Sequence, residues 1–575
     1  MTIHSRWQVP IPQGSLQKWI FGSANDPLPD TKSFIDPELP ETNYVTLSNY
    51  RLLSKRVALG LLRVGLKEGD RVLTFSGNTI FFPSVFLGVL MAGGIFTGAN
   101  PTFVARELAY QLKDSEASFL IVAEAALKTA LAAAKEIGFP QDRIYVLGGQ
   151  TPFAPELAAS PNPAPGVKGR VNGIRHWTEL LQGNLSQAQG WSWVEPRDPA
   201  DITCCLNYSS GTTGVPKGVE ITHRAYVANG AGVIYTQNLD PEASSKERTG
   251  LCFLPLYHAY GQTYFIANCP HLQIPVYVMA GFDFVKMLEY IQRYRVTSLT
   301  MVPPIALALA KHPLARKYDL SSITGMGCGA APLGREVCEE VEKLIPTGST
   351  VRQGWGMTET TCTCMSWHPL SDVGPSSGVG EMMPNCAARL MSLDGKTAIE
   401  KANERGELWV TGPNLMRRYW RRPQATADTV HVDADGTRWL KTGDIAYVEA
   451  YRPGTIFHVV DRLKELIKVK GIQVAPAELE AVLLENPAVA DVAVIGVTIN
   501  GGEVPRAYVV RDPRSPNAKE EDIARWLEPK VANFKQLRGG VVFIDAVPKN
   551  PSGKILRARL RERAKKEVGI RAKLS

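Results

Sequence analysis

The stretch that decides the fold is Ser209-Ser210-Gly211-Thr212-Thr213-Gly214-Val215-Pro216-Lys217-Gly218. Its glycines let backbone N–H groups approach phosphate oxygens, its hydroxyls donate further hydrogen bonds, and Lys217 brings a compensating charge. The stretch therefore predicts a loop that binds the triphosphate of ATP. It differs from a P-loop, because Pro216 precedes the lysine and Gly218, rather than Ser or Thr, follows it.

The composition is that of an ordinary folded chain. The 575 residues are 44% hydrophobic and 21% charged, and the formal net charge is +8. Lysines and arginines are interspersed with acidic residues, so we expect no nucleic-acid partner. The most basic segment, Arg557 to Lys566, is interpreted as a solvated helix face. The sequence carries no signal for an oligomeric state.

Cysteine usage and the chain ends indicate the cellular compartment. Nine cysteines, sparse and mostly among apolar neighbours, fit a reducing compartment. The N-terminus lacks the apolar core of a signal peptide, which favours a cytoplasmic location. A peroxisomal location is the alternative, because Ala572-Lys573-Leu574 resembles a peroxisomal tripeptide but is followed by Ser575.

The apolar segment from Ile80 to Ala99 raises the question of a membrane span. Pro83 and several glycines interrupt it, which predicts a buried helix, a glycine turn and a short buried strand rather than membrane insertion. A helical pattern from Val57 to Leu66 followed by a strand pattern from Arg71 to Phe75 indicates the same α/β alternation.

A change in the residue pattern near Asp461 predicts a domain boundary. We assign residues 1–461 to a large N-terminal domain and residues 462–575 to a small C-terminal domain. In the latter, Pro476 stands where the first position of a helix would be, and the segment from Ala490 to Val497 is predicted to be a strand.

Further motifs follow the first one in a fixed order. They are Gly329-Ala330-Ala331-Pro332-Leu333, Gln353-Gly354-Trp355-Gly356-Met357-Thr358-Glu359, Lys441-Thr442-Gly443-Asp444, Asp461-Arg462-Leu463-Lys464 and Pro551-Ser552-Gly553-Lys554. In this order the chain resembles the AMP-forming acyl-CoA synthetases of the adenylating superfamily, which includes luciferase and the adenylation domains of peptide synthetases. It is most similar to the 4-coumarate:CoA ligase-like branch.

The resemblance implies an α/β fold. We expect a large, multi-layer N-terminal domain of mixed sheets flanked by helices, and a small, mobile α+β C-terminal domain. It also implies ATP, Mg²⁺ and coenzyme A as cofactor and co-substrates. The expected ATP- and AMP-binding residues are Ser209, Ser210, Gly211, Thr212, Thr213, Gly214, Lys217, Ala330, Gln353, Gly354, Trp355, Thr358, Asp444, Arg462, Lys468 and Gln473.

Within that set, Ala330 and the Trp355 ring would bracket adenine, with indole in place of the more usual Tyr or Phe. Asp444, helped by Arg462, would accept hydrogen bonds from the ribose. Glu359 would hold Mg²⁺, a hard cation that prefers carboxylate and phosphate oxygens.

The resemblance assigns the catalytic roles to Lys554, His258 and Lys464. Lys554 would bridge the substrate carboxylate and the α-phosphate and stabilise the charge that develops there. His258 would lie near the carboxylate, and Lys464 would be the pivot of the small domain. After the pivot, Lys470 and Gly471 would lie beside the coenzyme A tunnel.

The expected acyl pocket comprises Tyr260, Gly327, Cys328, Gly329, Thr300 and Val302. Gly327 stands where plant coumarate ligases have a lysine, and Thr360-Thr361-Cys362 replaces their Ala-Gly-Pro. The pocket is therefore expected to be roomier and less polar than in those enzymes, which favours an aromatic, aryl-alkanoic or medium-chain acid.

The predicted function is that of an AMP-forming carboxylic acid:CoA ligase acting through an acyl-adenylate. Its partners would be a small carboxylic acid, ATP and coenzyme A. Two alternatives remain: an adenylating enzyme with a carrier-protein thiol or a luciferase-like acceptor, and a non-catalytic nucleotide-binding homologue.

Overall fold

A computed structural model describes residues 1–148, 153–160, 170–209, 216–241, 247–371, 377–469, 472–499, 502–550 and 553–574. Its strands are β1 (Ile3–His4), β2 (Lys32–Ile35), β3 (Tyr44–Thr46), β4 (Arg71–Phe75), β5 (Ile95–Ala99), β6 (Ala117–Ala123), β7 (Ile144–Leu147), β8 (Arg170–Val171), β9 (Ile174–His176), β10 (Thr203–Ser209), β11 (Lys217–Thr222), β12 (Gly250–Cys252), β13 (Val276–Val278), β14 (Ser298–Met301), β15 (Gly325–Cys328), β16 (Val351–Gln353), β17 (Trp355–Gly356), β18 (Thr363–Ser366), β19 (Glu381–Met382), β20 (Ala387–Met391), β21 (Gly406–Thr411), β22 (Arg418–Tyr419), β23 (Val430–Val432), β24 (Arg438–Val448), β25 (Phe457–Arg462), β26 (Ile467–Val469), β27 (Ile472–Val474), β28 (Val489–Ile499), β29 (Gly502–Arg511) and β30 (Val541–Phe543).

The α-helices are α1 (Leu16–Phe21), α2 (Leu47–Arg63), α3 (Phe82–Met91), α4 (Ala105–Asp114), α5 (Leu127–Ile137), α6 (Ala154–Ala159), α7 (Leu185–Gly190), α8 (His223–Gln237), α9 (Ala259–Gly261), α10 (Cys269–His271), α11 (Phe284–Tyr294), α12 (Pro303–Lys311), α13 (Arg335–Glu342), α14 (Pro423–Thr429), α15 (Pro476–Leu484), α16 (Glu520–Leu527) and α17 (Arg557–Leu574). A π-helical segment, Gln262–Asn268, joins α9 to α10, and a 3₁₀ turn spans Thr358–Thr360.

Two large sheets dominate the chain before the predicted boundary. The first runs in the order β22-β11-β10-β5-β4-β6-β7-β9-β8, and the second in the order β16-β15-β14-β12-β13-β2-β3. Parallel pairs in their interiors alternate with helices along the chain, as in β4-α3-β5. A third sheet, β1-β20-β21-β24-β23, is antiparallel, and β25 pairs with β24. The predicted class, an α/β fold with mixed sheets flanked by helices, is confirmed.

The apolar segment from Ile80 to Ala99 forms α3, a turn and β5, as predicted, and both elements are buried throughout. Helix α3 crosses α2 closely at Gly88, where an added Cβ would lie 2.5 Å from Val57 Cγ1. The helix expected from Val57 to Leu66 begins ten residues earlier, at Leu47, because the Thr46 hydroxyl accepts the Asn49 N–H and caps it. Among the described residues, no helix combines the length and the apolar character that a bilayer crossing needs.

The C-terminal segment has its own sheet, β28-β29-β30, and its own core, in which Leu479 and Leu483 of α15 pack on Val492 and Val494 of β28. Pro476 is the first residue of α15, as predicted. The strand expected from Ala490 to Val497 lies within β28. The boundary at residue 461 stays a prediction.

Several contacts join the C-terminal segment to helix α12 and to strand β25. The Lys311 ammonium at the end of α12 donates to the carbonyl oxygens of Leu484 and Val489. Asp461 is buried and accepts the N–H of Ala477 in the first turn of α15 at 2.9 Å. Gly553, the residue before Lys554, has a φ of +82°, and because it lacks a Cβ its backbone packs closely on Pro304, where an added Cβ would lie 2.8 Å from Cδ.

Candidate active site

A cavity of 1240 Å³ lies where these parts meet. Its walls come from the end of β10, from the segment that contains α9, from the strand ends of β14 to β16, and from the turn at Thr358. Lys554 and Arg559 of the C-terminal segment complete it. The cavity therefore gathers residues from both sides of the predicted domain boundary.

The two ends of the Ser/Thr/Gly stretch are held by an antiparallel strand pair. Ser209 at the end of β10 lies opposite Lys217 at the start of β11, which brings both ends of the loop together. Ser209 lines the cavity, and its buried hydroxyl has no hydrogen-bond partner among the described residues. Ser210, Gly211, Thr212, Thr213 and Gly214 lie outside the described residues.

Glu359 has a fixed orientation at the edge of the cavity. Its side chain is buried, and Oε1 accepts a hydrogen bond of 2.8 Å from the Tyr419 hydroxyl. The Lys217 ammonium lies 4.5 Å from the centroid of the same tyrosine ring. The Tyr419 contact orients the second carboxylate oxygen of Glu359, which suits a Mg²⁺ ion that takes its other ligands from phosphate and water. Among the described residues there is no cluster of three or more metal-ligating side chains.

Trp355 and Arg462 both bind Asp444. The Trp355 Nε1–H donates to Oδ2 at 2.9 Å, and Arg462 Nε lies 3.1 Å from Oδ1. Asp444 is 5% exposed and follows Gly443, whose φ is +70°. Trp355 and Arg462 line the cavity, and Asp444 lies directly behind them.

We expect Trp355→Phe to weaken ATP binding. The substitution keeps a ring for stacking but removes the N–H that holds Asp444, and a hydrogen bond to a charged group contributes about 1.5 to 3 kcal/mol. The KM for ATP should rise about tenfold or more, as measured by pyrophosphate release at saturating acid. Trp409→Phe is the matched control, because the Trp409 Nε1–H binds Glu407 at 2.9 Å outside the cavity. An unchanged KM in the Trp355 variant would contradict the coupling.

The segment that contains Ala330, expected to bracket adenine, is fixed by hydrogen bonds between the Leu333 backbone and the Gln353 amide. Ala330 lines the cavity, is exposed to it and has a φ of +75°. Thr358 and Gly354 also line the cavity. Gln353, by contrast, uses its amide to donate to the Leu333 carbonyl and to accept the Leu333 N–H, both at 2.9 Å. Its side chain is thus bound by the backbone of the segment that contains Ala330, and it does not line the cavity.

Lys554 enters the cavity from the C-terminal segment. A tight turn carries it, in which Asn550 Oδ1 accepts the Lys554 N–H at 2.8 Å and the Asn550 N–H donates to the Lys554 carbonyl at 2.9 Å. Burial, followed by the charge of Arg462, lowers the pKa of the ammonium to about 8, although Asp444 and Glu359 oppose the shift. Lys554 shares the cavity lining with Glu359 and Arg462, and Arg462 in turn contacts Asp444.

His258 caps α9, and its Nδ1 accepts the Tyr260 N–H at 3.2 Å. The proton of the neutral ring is therefore on Nε2. Burial lowers the pKa of His258 to about 4, so the ring is neutral near pH 7 and offers an N–H donor. Gln262, just beyond, donates to the Tyr257 carbonyl and to Asn207 of β10, both at 3.1 Å, and so ties the His258 segment to the phosphate-loop strand.

The expected acyl pocket is largely assembled. Tyr260, Thr300, Gly327, Cys328 and Gly329 all line the cavity. The Tyr260 and Tyr264 rings meet edge to face, with centroids 5.1 Å apart.

The sixth expected pocket residue, Val302, is buried outside the cavity lining. Its Cγ2 lies 3.2 Å from the position of an added Cβ on Gly553, so it supports the turn that carries Lys554.

Three further expected residues, Lys464, Lys468 and Gln473, do not line the cavity. Lys468 and Gln473 are partners in the β26-β27 hairpin, and Lys468 is exposed. Lys464 is also exposed, and it follows β25. Lys470 and Gly471 lie outside the described residues. The pivot and coenzyme A roles of this region stay predictions.

Sequence reasoning missed Tyr419, which contacts Glu359 from β22. No sequence pattern around Tyr419 indicates its contact with Glu359, because the residue is brought to the site by the pairing of β22 with β11. Thr361, which belongs to the expected pocket segment Thr360-Thr361-Cys362, is fully buried with a φ of +65° and does not line the cavity. Its hydroxyl donates to the Asn414 carbonyl at 2.8 Å, which helps to hold a backbone conformation that a β-branched residue rarely adopts.

One cavity thus brings together the end of the β10–β11 pair, the Glu359 carboxylate and a lysine from the C-terminal segment, an arrangement typical of enzymes that form adenylates. The family model of the AMP-binding enzymes matches residues 23–420. The model of the AMP-binding enzyme C-terminal domain matches residues 478–554. The chain belongs to the AMP-binding enzyme family, and the predicted membership of this family is confirmed.

Two curated relatives and a crystal structure illustrate the similarity. Phenylacetyl-CoA ligase epaB of Aspergillus niger is 33% identical over 568 residues, which are 98% of this chain and 99% of the relative. 4-Coumarate–CoA ligase 1 of Petroselinum crispum is 35% identical over 531 residues, 90% of this chain and 89% of the relative. ATP-bound MatB from Rhodopseudomonas palustris superposes with a TM-score of 0.78 at 25% identity and covers 95% of this chain and 98% of that one.

Proposed function

We propose that this protein is an AMP-forming carboxylic acid:CoA ligase that acts on an aromatic or aryl-alkanoic acid. The observation that carries the proposal is the position of Lys554 in one cavity with Trp355, Glu359 and His258. The printed names of the relatives, phenylacetyl-CoA ligase and 4-coumarate–CoA ligase, support the substrate class. The tyrosine pair Tyr260 and Tyr264 suits an aromatic ring.

In the first step, a carboxylate oxygen of the acid attacks the α-phosphorus of ATP. A new P–O bond forms, the bond between the α-phosphorus and the bridging oxygen breaks, and pyrophosphate leaves. Both reactants are anionic, so a cation is needed between them, and protonated Lys554 supplies it. Glu359 would hold Mg²⁺, which neutralises the phosphates when it is bound. The Nε2–H of neutral His258 can donate to the acid.

In the second step, the sulfur of coenzyme A attacks the acyl carbonyl. A C–S bond forms, the C–O bond to AMP breaks, AMP leaves with the electron pair, and the thiol proton passes to solvent. Lys554 occupies the cavity that the first step needs, whereas Lys468 and Gln473 lie outside it. We therefore assign the described arrangement to the first step, and propose that the C-terminal segment turns about the Lys464 region before the second.

The function is tested with phenylacetate, 4-coumarate, benzoate and acetate. Each acid is incubated with ATP and Mg²⁺, with and without coenzyme A, and AMP, ADP and acyl-CoA are measured. We expect AMP release to rise at least about tenfold when coenzyme A is added to the preferred aromatic acid, because thioester formation frees the enzyme for another turnover. AMP release that coenzyme A leaves unchanged would indicate another acceptor. ADP as the nucleotide product would refute the proposal.

A further inference from the structure

Helix α12 contacts the C-terminal segment at both of its ends. Near its start, Pro304 packs on the backbone of Gly553, the residue before the cavity lysine. At its end, the Lys311 ammonium donates to two backbone carbonyls, those of Leu484 and Val489. At about 1.5 Å of rise per residue, Pro304 and Lys311 stand about 10 Å apart along the helix axis. The two attachments are therefore well separated.

A third contact lies on the neighbouring helix. Gly334 precedes α13, and an added Cβ there would lie 3.5 Å from Cβ of Ala481 in α15. Helix α15 packs into the core of the C-terminal segment through Leu479 and Leu483, so it turns only together with that segment. Three separated contacts fix the orientation of one rigid body on another. Helices α12 and α13 thus set the direction from which Lys554 enters the cavity.

Of these three contacts, only the one at Lys311 is made by a charged donor. Leu484 is the last residue of α15, and Ala488, four residues further on, donates its N–H to the Asn486 side chain at 2.9 Å. The carbonyls that end a helix lack partners within it and lie at the negative end of its dipole, so they favour an ammonium group. Lys311 Nζ lies 3.2 Å from the Leu484 oxygen, and it also binds the Val489 oxygen at the start of β28.

The Lys311 ammonium is half-buried among charged groups of the C-terminal segment. Burial lowers the pKa of Lys311, and the charge of Arg514 adds to that shift. The carboxylates of Asp512 and Asp491 oppose it. A buried ammonium is costly without acceptors, so this contact favours the orientation in which it forms. Lys311 does not line the cavity, so its effect on the reaction has to pass through that orientation.

We propose that Lys311 is a positioning residue for the first step, because by binding the end of α15 it holds the C-terminal segment in the orientation that brings Lys554 into the cavity. This inference rests on the proposed function, in which the segment turns between the two steps. The hydrogen bonds of Lys311 have to break before that turn. Their loss therefore shifts the population away from the orientation of the first step and towards that of the second.

The test compares Lys311→Met with the unmodified protein. Methionine keeps an apolar stem of similar length but cannot donate a hydrogen bond. We expect single-turnover pyrophosphate release to slow about tenfold, because hydrogen bonds from a charged donor are lost. The formation of acyl-CoA from supplied acyl-adenylate should keep its rate or rise. Lys317→Met, at an exposed lysine shortly after α12, should leave both rates unchanged.

A reversible cross-link separates positioning from folding. Gly334→Cys combined with Ala481→Cys places two thiols across the contact between α13 and α15, where the Cβ separation of 3.5 Å suits a disulfide. Oxidation with diamide closes the cross-link, and the mass of the protein verifies it. In the cross-linked protein the first step should run at the same rate with and without Lys311→Met, because the disulfide now holds the orientation. Reduction should restore the tenfold difference.

The possible failures of this inference differ from those of the proposed function. A first step that Lys311→Met leaves unchanged, equal losses in both half-reactions, or a loss that persists in the cross-linked protein would overturn the inference while the ligase function stands. If the unmodified protein makes neither acyl-adenylate nor acyl-CoA from any acid, the proposed function itself fails.

Discussion

Lys554→Ala is expected to reduce acyl-adenylate formation by about 10²- to 10³-fold, while the conversion of a supplied acyl-adenylate to thioester continues. The reason is that Lys554 brings a positive charge into the cavity from the C-terminal segment, and the first step brings two anions together. In the second step the thiol of coenzyme A attacks the acyl carbonyl of the adenylate, so no carboxylate has to approach a phosphate. This step therefore does not need the Lys554 cation. The variant thus separates the two halves of the reaction.

The measurement is single-turnover pyrophosphate release for the first step and acyl-CoA formation from synthetic acyl-adenylate for the second. Lys566→Ala serves as a control, because Lys566 is an exposed lysine of α17 in the same C-terminal segment. Equal losses in both half-reactions would show that Lys554 acts on folding or on both steps, and would contradict the assigned role.

The same lysine is expected to set the alkaline limit of the first step. Burial lowers the pKa of Lys554 to about 8 in the free protein, and the protonated form is the active one. The kcat/KM for the acid should therefore be level below that pH and fall as the pH rises through about 8. In Lys554→Arg the guanidinium keeps its charge, so any remaining activity should lose this alkaline fall. A fall near pH 8 in the arginine variant would assign it to another group.

Glu359→Gln is expected to lower the rate of the first step by about 100-fold or more and to raise the Mg²⁺ concentration needed for half-maximal activity. The side chain keeps its size and its contact with Tyr419, but it loses the negative charge that a hard cation requires. Pyrophosphate release measured over a range of Mg²⁺ concentrations separates loss of the metal from loss of nucleotide binding.

Tyr419→Phe provides the graded comparison. It keeps the Glu359 carboxylate but removes the hydroxyl that orients it, so its effect should be smaller than that of Glu359→Gln and in the same direction. Glu340→Gln is the control. Glu340 lies in α13 and forms an exposed ion pair with Lys343, so its loss should change neither the rate of the first step nor its Mg²⁺ dependence. A Glu359 variant with unaltered Mg²⁺ dependence would remove this residue from the metal site.

Much of the fold was predictable from local patterns. The segment that became α3 and β5 was identified from its apolar run and its glycines, and Pro476 marked the start of α15. Helix boundaries were less certain, since the true start of α2 depends on a hydroxyl cap at Thr46 that lies before the apolar pattern. Period, turn residues and caps act over a few neighbouring residues, which is why sequence alone can indicate them.

For the residues of the site, the sequence likewise indicated the motifs but not the direction of every side chain. The motif containing Trp355, Thr358 and Glu359 was recognisable because its members are adjacent and serve one local segment. Gln353 belongs to the same motif, yet its amide is bound by the Leu333 backbone. Val302 was expected to face the acid but supports the turn at Gly553. The direction of a side chain depends on what packs beside it, and motif membership does not specify that.

The sequence by itself determined the family, the types of chemistry available and the order of the elements, because these follow from residue types and short-range sterics. Only the tertiary structure decided that Lys554 shares a cavity with Glu359, that Trp355 holds Asp444, and that Lys311 binds the end of α15. These relations join segments far apart in the chain. Sheet pairing and core packing bring such segments together, and the energy of each contact depends on the whole arrangement rather than on any one stretch of residues.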